Sequence, residues 1–204
     1  ESSSISFPEN PIVLFPNLFS IIFGRPSKAP EQILADIALL QEMDTDITIV
    51  SIHWGIENAV SPSDDQKALA QKMADAGADV ILGHHPHCLQ PAEEYNGGLI
   101  LYSMGNWVFG GSTRPSDPDT AIIQVTVKRD LDGSISRDDI NIIPCCVSSK
   151  MEAAWNMADN YNDYCPTPYP EGSEPYLRAL SKLDGSYQPK SQGADYSNFY
   201  ASWG

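Results

Sequence analysis

The sequence has 204 residues, a mass of 22.3 kDa and 42% hydrophobic residues, so we expect one soluble globular domain with a core of its own. Its formal net charge of −15 and pI near 4.4 argue against nucleic acid or an anionic membrane as the main partner, because long-range repulsion opposes both encounters. Residues 1–4 carry no basic or apolar leader, and the apolar run of residues 11–24 is interrupted by Pro16 and Asn17. We therefore expect no signal peptide and no membrane span there, but a buried strand or loop.

The next segments predict a helix followed by a short strand. Apolar residues recur at helical spacing over Ala29–Met43, behind Pro30, which suits a first-turn position. Asp46–Ile52 is short, apolar and rich in β-branched residues, as in a buried strand. His53 and Trp54 follow it, so a buried strand is expected to carry functional side chains at its carboxyl end.

A second helix and strand complete a crossover unit. Ser63 and Gln66 match a capping box at the start of the helix, and Gly77 is a plausible C-cap at its end. The strand Asp79–Leu82 follows directly. Strand, helix and strand in this order predict a parallel pair, with both carboxyl ends at the same edge of the sheet.

The remainder of the chain predicts antiparallel strands and one further helix. Asn96–Gly98 is a turn signal, and Gly105-Asn106 should interrupt the strand that follows it. The predicted elements are strands at Leu99–Met104 and Trp107–Phe109, a surface loop at Gly110–Pro118, a hairpin of Ala121–Lys128 with Ile135–Ile143, and a helix at Glu174–Leu183 capped by Ser173.

All four histidines of the sequence follow the two strands of the crossover unit, as His53 and as His84, His85 and His87. Pro86 restricts its own φ and favours an extended residue before it, so we expect residues 85–87 to run nearly straight. Side chains two positions apart would then lie on one side of the chain, with His85 and His87 facing a metal ion and His84 pointing away. The pattern predicts His53, His85 and His87 as metal ligands, against the alternative of loop histidines bonded to backbone.

Other side chains near the predicted metal site have two interpretations each. Glu57 either orients a metal ligand or is a solvated carboxylate, and His84 has a surface or supporting role. Asn106 either binds metal or substrate or serves only as a turn residue. Trp54 and Trp107 either line a cleft or belong to the core. The cysteines Cys88, Cys145, Cys146 and Cys165 form one or two disulfides or remain buried thiols.

Three strings resemble the CapA family of bacterial capsule-synthesis proteins, named for poly-γ-glutamate, within the calcineurin-like metallophosphoesterase superfamily. They are IHWGIE (residues 52–57), DAGADVILGHHPHCLQPAEEY (75–95) and LILYSMGNWVFG (99–110). The resemblance implies an α/β (α+β) fold, a metallophosphoesterase-like two-sheet β-sandwich flanked by helices, of which this chain supplies the C-terminal half. Residues 1–150 would form that half. Residues 151–204 would be a Tyr-, Pro- and Ser-rich extension with one short helix packed on it.

The resemblance also implies chemistry. It places His53 at a ligand that ends a central strand, and His85 and His87 at the paired histidines of the superfamily. The expected cofactors are two divalent metal ions (Mn, Fe or Zn), and the expected substrate bears phosphate or is polyanionic. The function implied is that of a metal-dependent phosphoesterase-like protein in capsule or poly-γ-glutamate metabolism, extracytoplasmic, at the bacterial cell envelope or secreted.

One departure from the family pattern motivates an alternative function. The Gly-Asp, Asn-Leu-Glu and Asn-Asn-His motifs of the family's first half have no match in residues 1–46. A two-metal site needs roughly twice the ligands that three histidines offer, so an N-terminal half or a partner chain would complete it. The alternative is a non-catalytic envelope protein that keeps the fold to bind a polyanionic polymer or a synthase partner.

Overall fold

The computed structural model describes residues 12–14, 19–24, 30–43, 45–111, 115–132, 134–150 and 162–188. Within these residues, six strands form one sheet in the order β1-β2-β3-β4-β6-β5. The strands are β1 (Ile12–Leu14), β2 (Phe19–Gly24), β3 (Ile47–His53), β4 (Val80–His84), β5 (Ala92–Tyr95) and β6 (Gly98–Leu101). The central strands β2, β3, β4 and β6 are parallel, whereas β1 and β5 are antiparallel edge strands.

Helices α1 (Pro30–Glu42) and α2 (Asp64–Asp75) pack on this sheet. Residues Val50 and Ile52 of β3 point into the core that the helices cover, so Ser51 between them lies on the opposite face. The core consists of Ile22, Ile33, Ile37, Leu40, Val50, Ile52, Trp54, Leu69, Ala70, Met73, Ala74, Ala78, Ile81, Ile100 and Tyr102. No helix among the described residues is long and apolar enough to span a membrane.

The predicted crossover unit is confirmed. β3 and β4 are parallel, and His53 pairs with His84 at their carboxyl ends. The capping box at the start of α2 is complete, because Ser63 Oγ accepts from the backbone of Gln66 while the Gln66 side chain accepts from the backbone of Ser63. The C-cap is Ala76, and Gly77 follows it with φ of 106°, which only glycine adopts at low cost.

A second sheet contains the long hairpin. It has the order β7-β8-β9, with β7 (Asp119–Arg129), β8 (Ile135–Cys146) and β9 (Thr167–Pro168). Helix α3 (Glu174–Leu183) begins at the predicted cap Ser173 and buries Ala179 and Leu183 against this sheet. The expected α/β fold with two sheets and flanking helices is confirmed. The division of the chain at residue 150 stays a prediction.

Two predicted strands differ from the structure. The strand expected at Leu99–Met104 is β6, which ends at Leu101, and Trp107–Phe109 is an exposed loop instead of a strand. Gly105, where an interruption was predicted, has φ of 69°, and a Cβ there would lie 2.8 Å from Asp119 O, so a side chain would not fit. Residues 11–24 form strands as predicted, within their described part. The cysteines are thiols, with only Cys165 exposed.

Candidate metal centre

Backbone hydrogen bonds hold together the loops that follow β3 and β4. The amide of Trp54 donates to His84 O at 3.1 Å, and the amide of Asn58 donates to Pro86 O at 2.8 Å. The loop after β3 accepts one further hydrogen bond, in which the side-chain amide of the buried Gln90 donates to Ala59 O at 2.7 Å. These contacts place the side chain of residue 57 beside the histidines of the β4 loop.

Glu57, His85 and His87 form a cluster that we call the triad. One ligand atom of each lies within 4.8 Å of the ligand atoms of the other two. Glu57 is exposed and both histidines are half-buried. The triad therefore joins one carboxylate to two imidazoles at the surface, open to a small ligand. Glu57 is thus a possible ligand itself, a role that neither of its two predicted interpretations, orienting a ligand or being a solvated carboxylate, included.

The prediction of an extended segment at residues 85–87 is wrong. His85 has φ of 97° and His87 has φ of 59°, both in the left-handed region. The backbone therefore curls round Pro86, and the two rings lie with centroids 6.1 Å apart. Their proximity comes from two unusual backbone conformations. Such conformations cost free energy and are concentrated at functional sites.

His84 lies apart from the triad, on the other side of the β4 terminus. Its Nε2 is 3.1 Å from Ser51 Oγ, on the sheet face opposite the helices. Burial lowers the pKa of His84, which favours the neutral imidazole. His84 therefore supports the end of β4 through Ser51.

His53, the third predicted ligand, is adjacent to the triad but is not one of its three members. Its ring centroid is 4.6 Å from that of His85, at an interplanar angle of 50°. The side chain is exposed at the carboxyl end of β3. A metal ligand role for His53 stays a prediction.

Asn106 makes two hydrogen bonds to His87. Its Nδ2 donates to the backbone oxygen of His87 at 3.1 Å, so its Oδ1 faces His87 Nδ1 at 2.8 Å as the acceptor. His87 Nδ1 must then carry the proton, which leaves the lone pair on Nε2. Asn106 is buried, and this arrangement is how proteins orient a histidine for metal binding.

Close packing behind the site explains the glycine of the Gly-His-His-Pro-His motif. A Cβ at Gly83 would lie 1.9 Å from Tyr102 O and 2.6 Å from Trp54 Nε1. The Trp54 indole donates to the same oxygen at 2.9 Å. Trp54 is therefore a core residue, one of its two predicted interpretations. Trp107 is 42% exposed and does not belong to the core.

A buried ionic cluster lies between α3 and the start of β7. The sequence did not predict it. Asp119 is fully buried and accepts hydrogen bonds from Tyr169, Arg178 and Lys182 at 2.7–2.8 Å. Lys182 also contacts Asp117 at 2.7 Å. Asp117 falls in the predicted surface loop but is buried, which corrects that prediction. The only sequence signal was the spacing of Arg178 and Lys182 on one helix face.

The cluster lies next to the residues that hold His87. Thr120, adjacent to Asp119, pairs with Gly105, and its Oγ1 donates to Met104 O at 3.1 Å. Burial by itself would raise the pKa of Asp119, but the hydrogen bond from Arg178 and the charge of Lys182 keep it below its ordinary value. Asp119 is thus a buried anion balanced by two cations.

The donor set of the triad fits a transition metal. Two imidazole nitrogens and one carboxylate suit Mn, Fe or Zn, whereas Ca²⁺ prefers oxygen ligands alone. The neutral Nε2 of His87 is available as a donor because Asn106 fixes the proton on Nδ1. The triad alone does not complete the coordination of two ions, which need further ligands.

Comparison with known proteins is consistent with this geometry. The family described as "Bacterial capsule synthesis protein PGA_cap" matches residues 9–111, half of the chain, and this range contains the triad and Asn106. The match extends on the N-terminal side of the strings quoted above.

Individual relatives match the same region. "PGA biosynthesis protein CapA" of Bacillus subtilis is 48% identical over 98 residues, 48% of this chain and 25% of that protein. "Capsule biosynthesis protein CapA" of Bacillus anthracis is 44% identical over 105 residues, 50% of this chain and 25% of that protein. A Mycobacterium tuberculosis protein named "Probable polyglutamine synthesis accessory protein" is 39% identical over 77 residues, 38% of this chain and 19% of that protein. The aligned part of the chain spans about a quarter of the length of the two CapA relatives.

Proposed function

The chain belongs to the PGA_cap family of bacterial capsule synthesis proteins, and from this premise we propose that it is a metal-dependent phosphoesterase-like protein of the CapA type. The observation that carries the proposal is the triad, in which Glu57, His85 and His87 bring their ligand atoms within 4.8 Å of one another. Two CapA relatives named for capsule or PGA biosynthesis support a role in capsule or poly-γ-glutamate metabolism at the cell envelope.

Each residue of the site has a distinct part in this proposal. Glu57 supplies negative charge and the two imidazoles supply neutral nitrogen donors, so a divalent cation would leave the site with a net positive charge that attracts phosphate. Asn106 keeps His87 in the tautomer that binds. Divalent cations in such a site bind phosphate oxygens and lower the pKa of a bound water.

We further propose that His53 serves a second ion beside the triad. Its ring lies 4.6 Å from that of His85, and its exposed position leaves room for ligands from elsewhere. The additional carboxylates would come from another part of the protein or from a partner chain. The substrate would bear phosphate.

Metal binding and hydrolysis test the proposal together. We expect Mn²⁺ or Zn²⁺ to bind the purified protein, as measured by calorimetry, and an aryl phosphate to be hydrolysed in its presence. His85→Ala and Glu57→Gln should each weaken metal binding by at least about 100-fold, because each removes a direct ligand. Glu171→Gln removes an exposed carboxylate that does not belong to the triad and is the matched control.

The outcomes separate the possibilities. If the wild type binds no transition metal, and His85→Ala alters neither stability nor turnover, the phosphoesterase proposal is wrong. Circular dichroism of each variant checks that the fold persists.

A second candidate is a non-catalytic accessory protein that binds a synthase partner or a polymer. The word "accessory" in the name of the Mycobacterium tuberculosis relative favours it, as does the single carboxylate among the triad's ligands. Metal binding without hydrolysis, once the full set of ligands is supplied, would support this candidate over the first.

A further inference from the structure

Four exposed apolar side chains lie beside the site in the chain, next to Glu57 or after Asn106, and we call them the apolar rim. Ile56 is 63% exposed, Trp107 42%, Val108 60% and Phe109 45%. Side chains of this size are mostly buried in soluble proteins, so several around one site mark a binding surface more often than chance.

One ring contact and two positions in the chain relate the rim to the site. The Phe109 ring lies against that of His87, with centroids 4.9 Å apart and an interplanar angle of 37°. Ile56 immediately precedes Glu57, and Trp107 immediately follows Asn106, which orients His87. A ligand atom held by the triad would therefore have the apolar ring of Phe109 close by, on the side of His87.

Phe109 is held in place by its own loop. The Phe109 ring lies over the backbone of Gly111, where a Cβ would come within 2.4 Å of it. The loop is joined to the segment before β9 by a hydrogen bond from Tyr164 Oη to Gly110 O at 3.5 Å. The ring is thus positioned beside His87 while almost half of its surface stays available.

The charge of the protein restricts which ligand suits this surface. With 27 acidic and 12 basic residues, the protein repels a ligand that carries many negative charges. A ligand with a single phosphate group and an apolar body would meet less repulsion, and its apolar body would be buried by the rim.

We propose that the apolar rim binds the organic group of a phosphate monoester whose phosphate lies at the triad, so that the site selects amphiphilic monoesters over polyanions. This proposal rests on the proposed function, because it takes the triad as the phosphate position. Phe109 and Trp107 are the specificity-determining residues.

The test is a series of n-alkyl phosphates from ethyl to octyl, kept below micelle-forming concentrations, with binding to the full chain measured by calorimetry in Mn²⁺. We expect the affinity to rise with chain length by up to about fourfold per buried methylene group. Phe109→Ala and Trp107→Ala should flatten this dependence, lowering the affinity for octyl phosphate by a larger factor than the affinity for inorganic phosphate. Leu131→Ala removes a fully exposed side chain on the β7-β8 turn and is the control. It should not alter the dependence of affinity on chain length.

The result for the rim is distinguishable from the result for the metal site. A chain-length dependence that is absent, or that Phe109→Ala leaves intact, overturns the proposal even if Mn²⁺ and inorganic phosphate bind. A separate titration with Mn²⁺ alone reports on the proposed function. If no alkyl phosphate binds at all, the rim proposal is wrong, whatever that titration gives.

Discussion

At the residue scale, Asn106 combines two hydrogen bonds to one histidine. Its amide donates to the backbone oxygen of His87 and accepts from the ring Nδ1. Neither bond reaches solvent, because Asn106 is 5% exposed. A turn signal in the sequence thus corresponds to a side chain that determines which nitrogen of His87 carries a proton.

We predict that Asn106→Ala lowers the affinity for Mn²⁺ or Zn²⁺ by about 10- to 100-fold, because His87 would lose its fixed tautomer and orientation. Asn141→Ala, which removes an exposed amide on β8, is the control and should leave the affinity unchanged. Equal metal affinities for the two variants in calorimetry would contradict a role for Asn106 in orienting His87.

Gly83 matters for stability because neighbouring residues pack closely against it. We predict that Gly83→Ala destabilises the protein by about 3 kcal/mol or more, since its Cβ would lie 1.9 Å from Tyr102 O and the strand would have to shift. Gly110→Ala is the matched control, because a Cβ there meets no atom within 4 Å. Urea denaturation measures the free energy of unfolding of both variants. If Gly83→Ala lowers it only slightly, β4 can shift to accommodate the added methyl group.

At the element scale, the β3-α2-β4 crossover brings two loops to one sheet edge, and α3 supports that edge through the ionic cluster. Lys182 lies in the last turn of α3, only 5% exposed, between Asp117 and Asp119. Buried charges of this kind are costly to leave unpaired. The cluster therefore joins α3 to the start of β7.

Replacing the lysine tests this connection. We predict that Lys182→Met lowers the free energy of unfolding by about 3–5 kcal/mol, because two buried carboxylates would face each other without their shared cation. Lys67→Met, on the exposed face of α2, should change it by no more than about 0.5 kcal/mol. Chemical denaturation at pH 7 compares them, and similar values for both would exclude a stabilising role for the cluster.

The acid stability of the protein should depend on Asp119. Burial alone would raise its pKa, but Arg178 and Lys182 keep it below the ordinary value of 3.8. A carboxyl group with a lower pKa in the folded state stabilises the protein above its unfolded pKa, and this contribution is lost as the pH falls through the folded value. We predict that the difference in unfolding free energy between the wild type and Asp119→Asn shrinks below pH 3.8.

Denaturation curves from pH 7 down to acid measure that difference. Asp138→Asn, at an exposed aspartate on β8, is the control and should change the unfolding free energy at pH 7 by no more than about 0.5 kcal/mol. A difference for Asp119→Asn that stays constant with pH would mean that Asp119 is not ionised in the folded protein.

At the scale of the whole molecule, net charge decides which polymers can approach. The charge of −15 acts over about 10 Å at 0.1 M salt. We predict that poly-γ-glutamate, in the absence of divalent cations, binds more weakly at about 10 mM salt than at about 150 mM, because added salt screens the repulsion. Light scattering or sedimentation measures this, and affinity that falls with salt would instead indicate a local basic surface.

The sequence by itself determined the elements and which loops meet. The parallel pair that places His53 near His84 was predicted from the hydrophobic periodicity, the Ser63 capping box and the strand-helix-strand order. These signals can be read from the sequence because they follow local or topological rules. The resemblance in residues 52–110 was sufficient to identify the family that comparison then matched. The histidine motif was visible because its residues are adjacent in the chain.

Only the tertiary structure decided the geometry of the site. The left-handed conformation of His85 opposes the preference that Pro86 gives to the residue before it, and hydrogen bonds between the two loops bring Glu57 beside both rings. The cluster of Lys182 with Asp119 joins residues 63 positions apart, a contact that no local pattern encodes. Local propensities predict segments, whereas packing and long-range hydrogen bonds determine which side chains share a site.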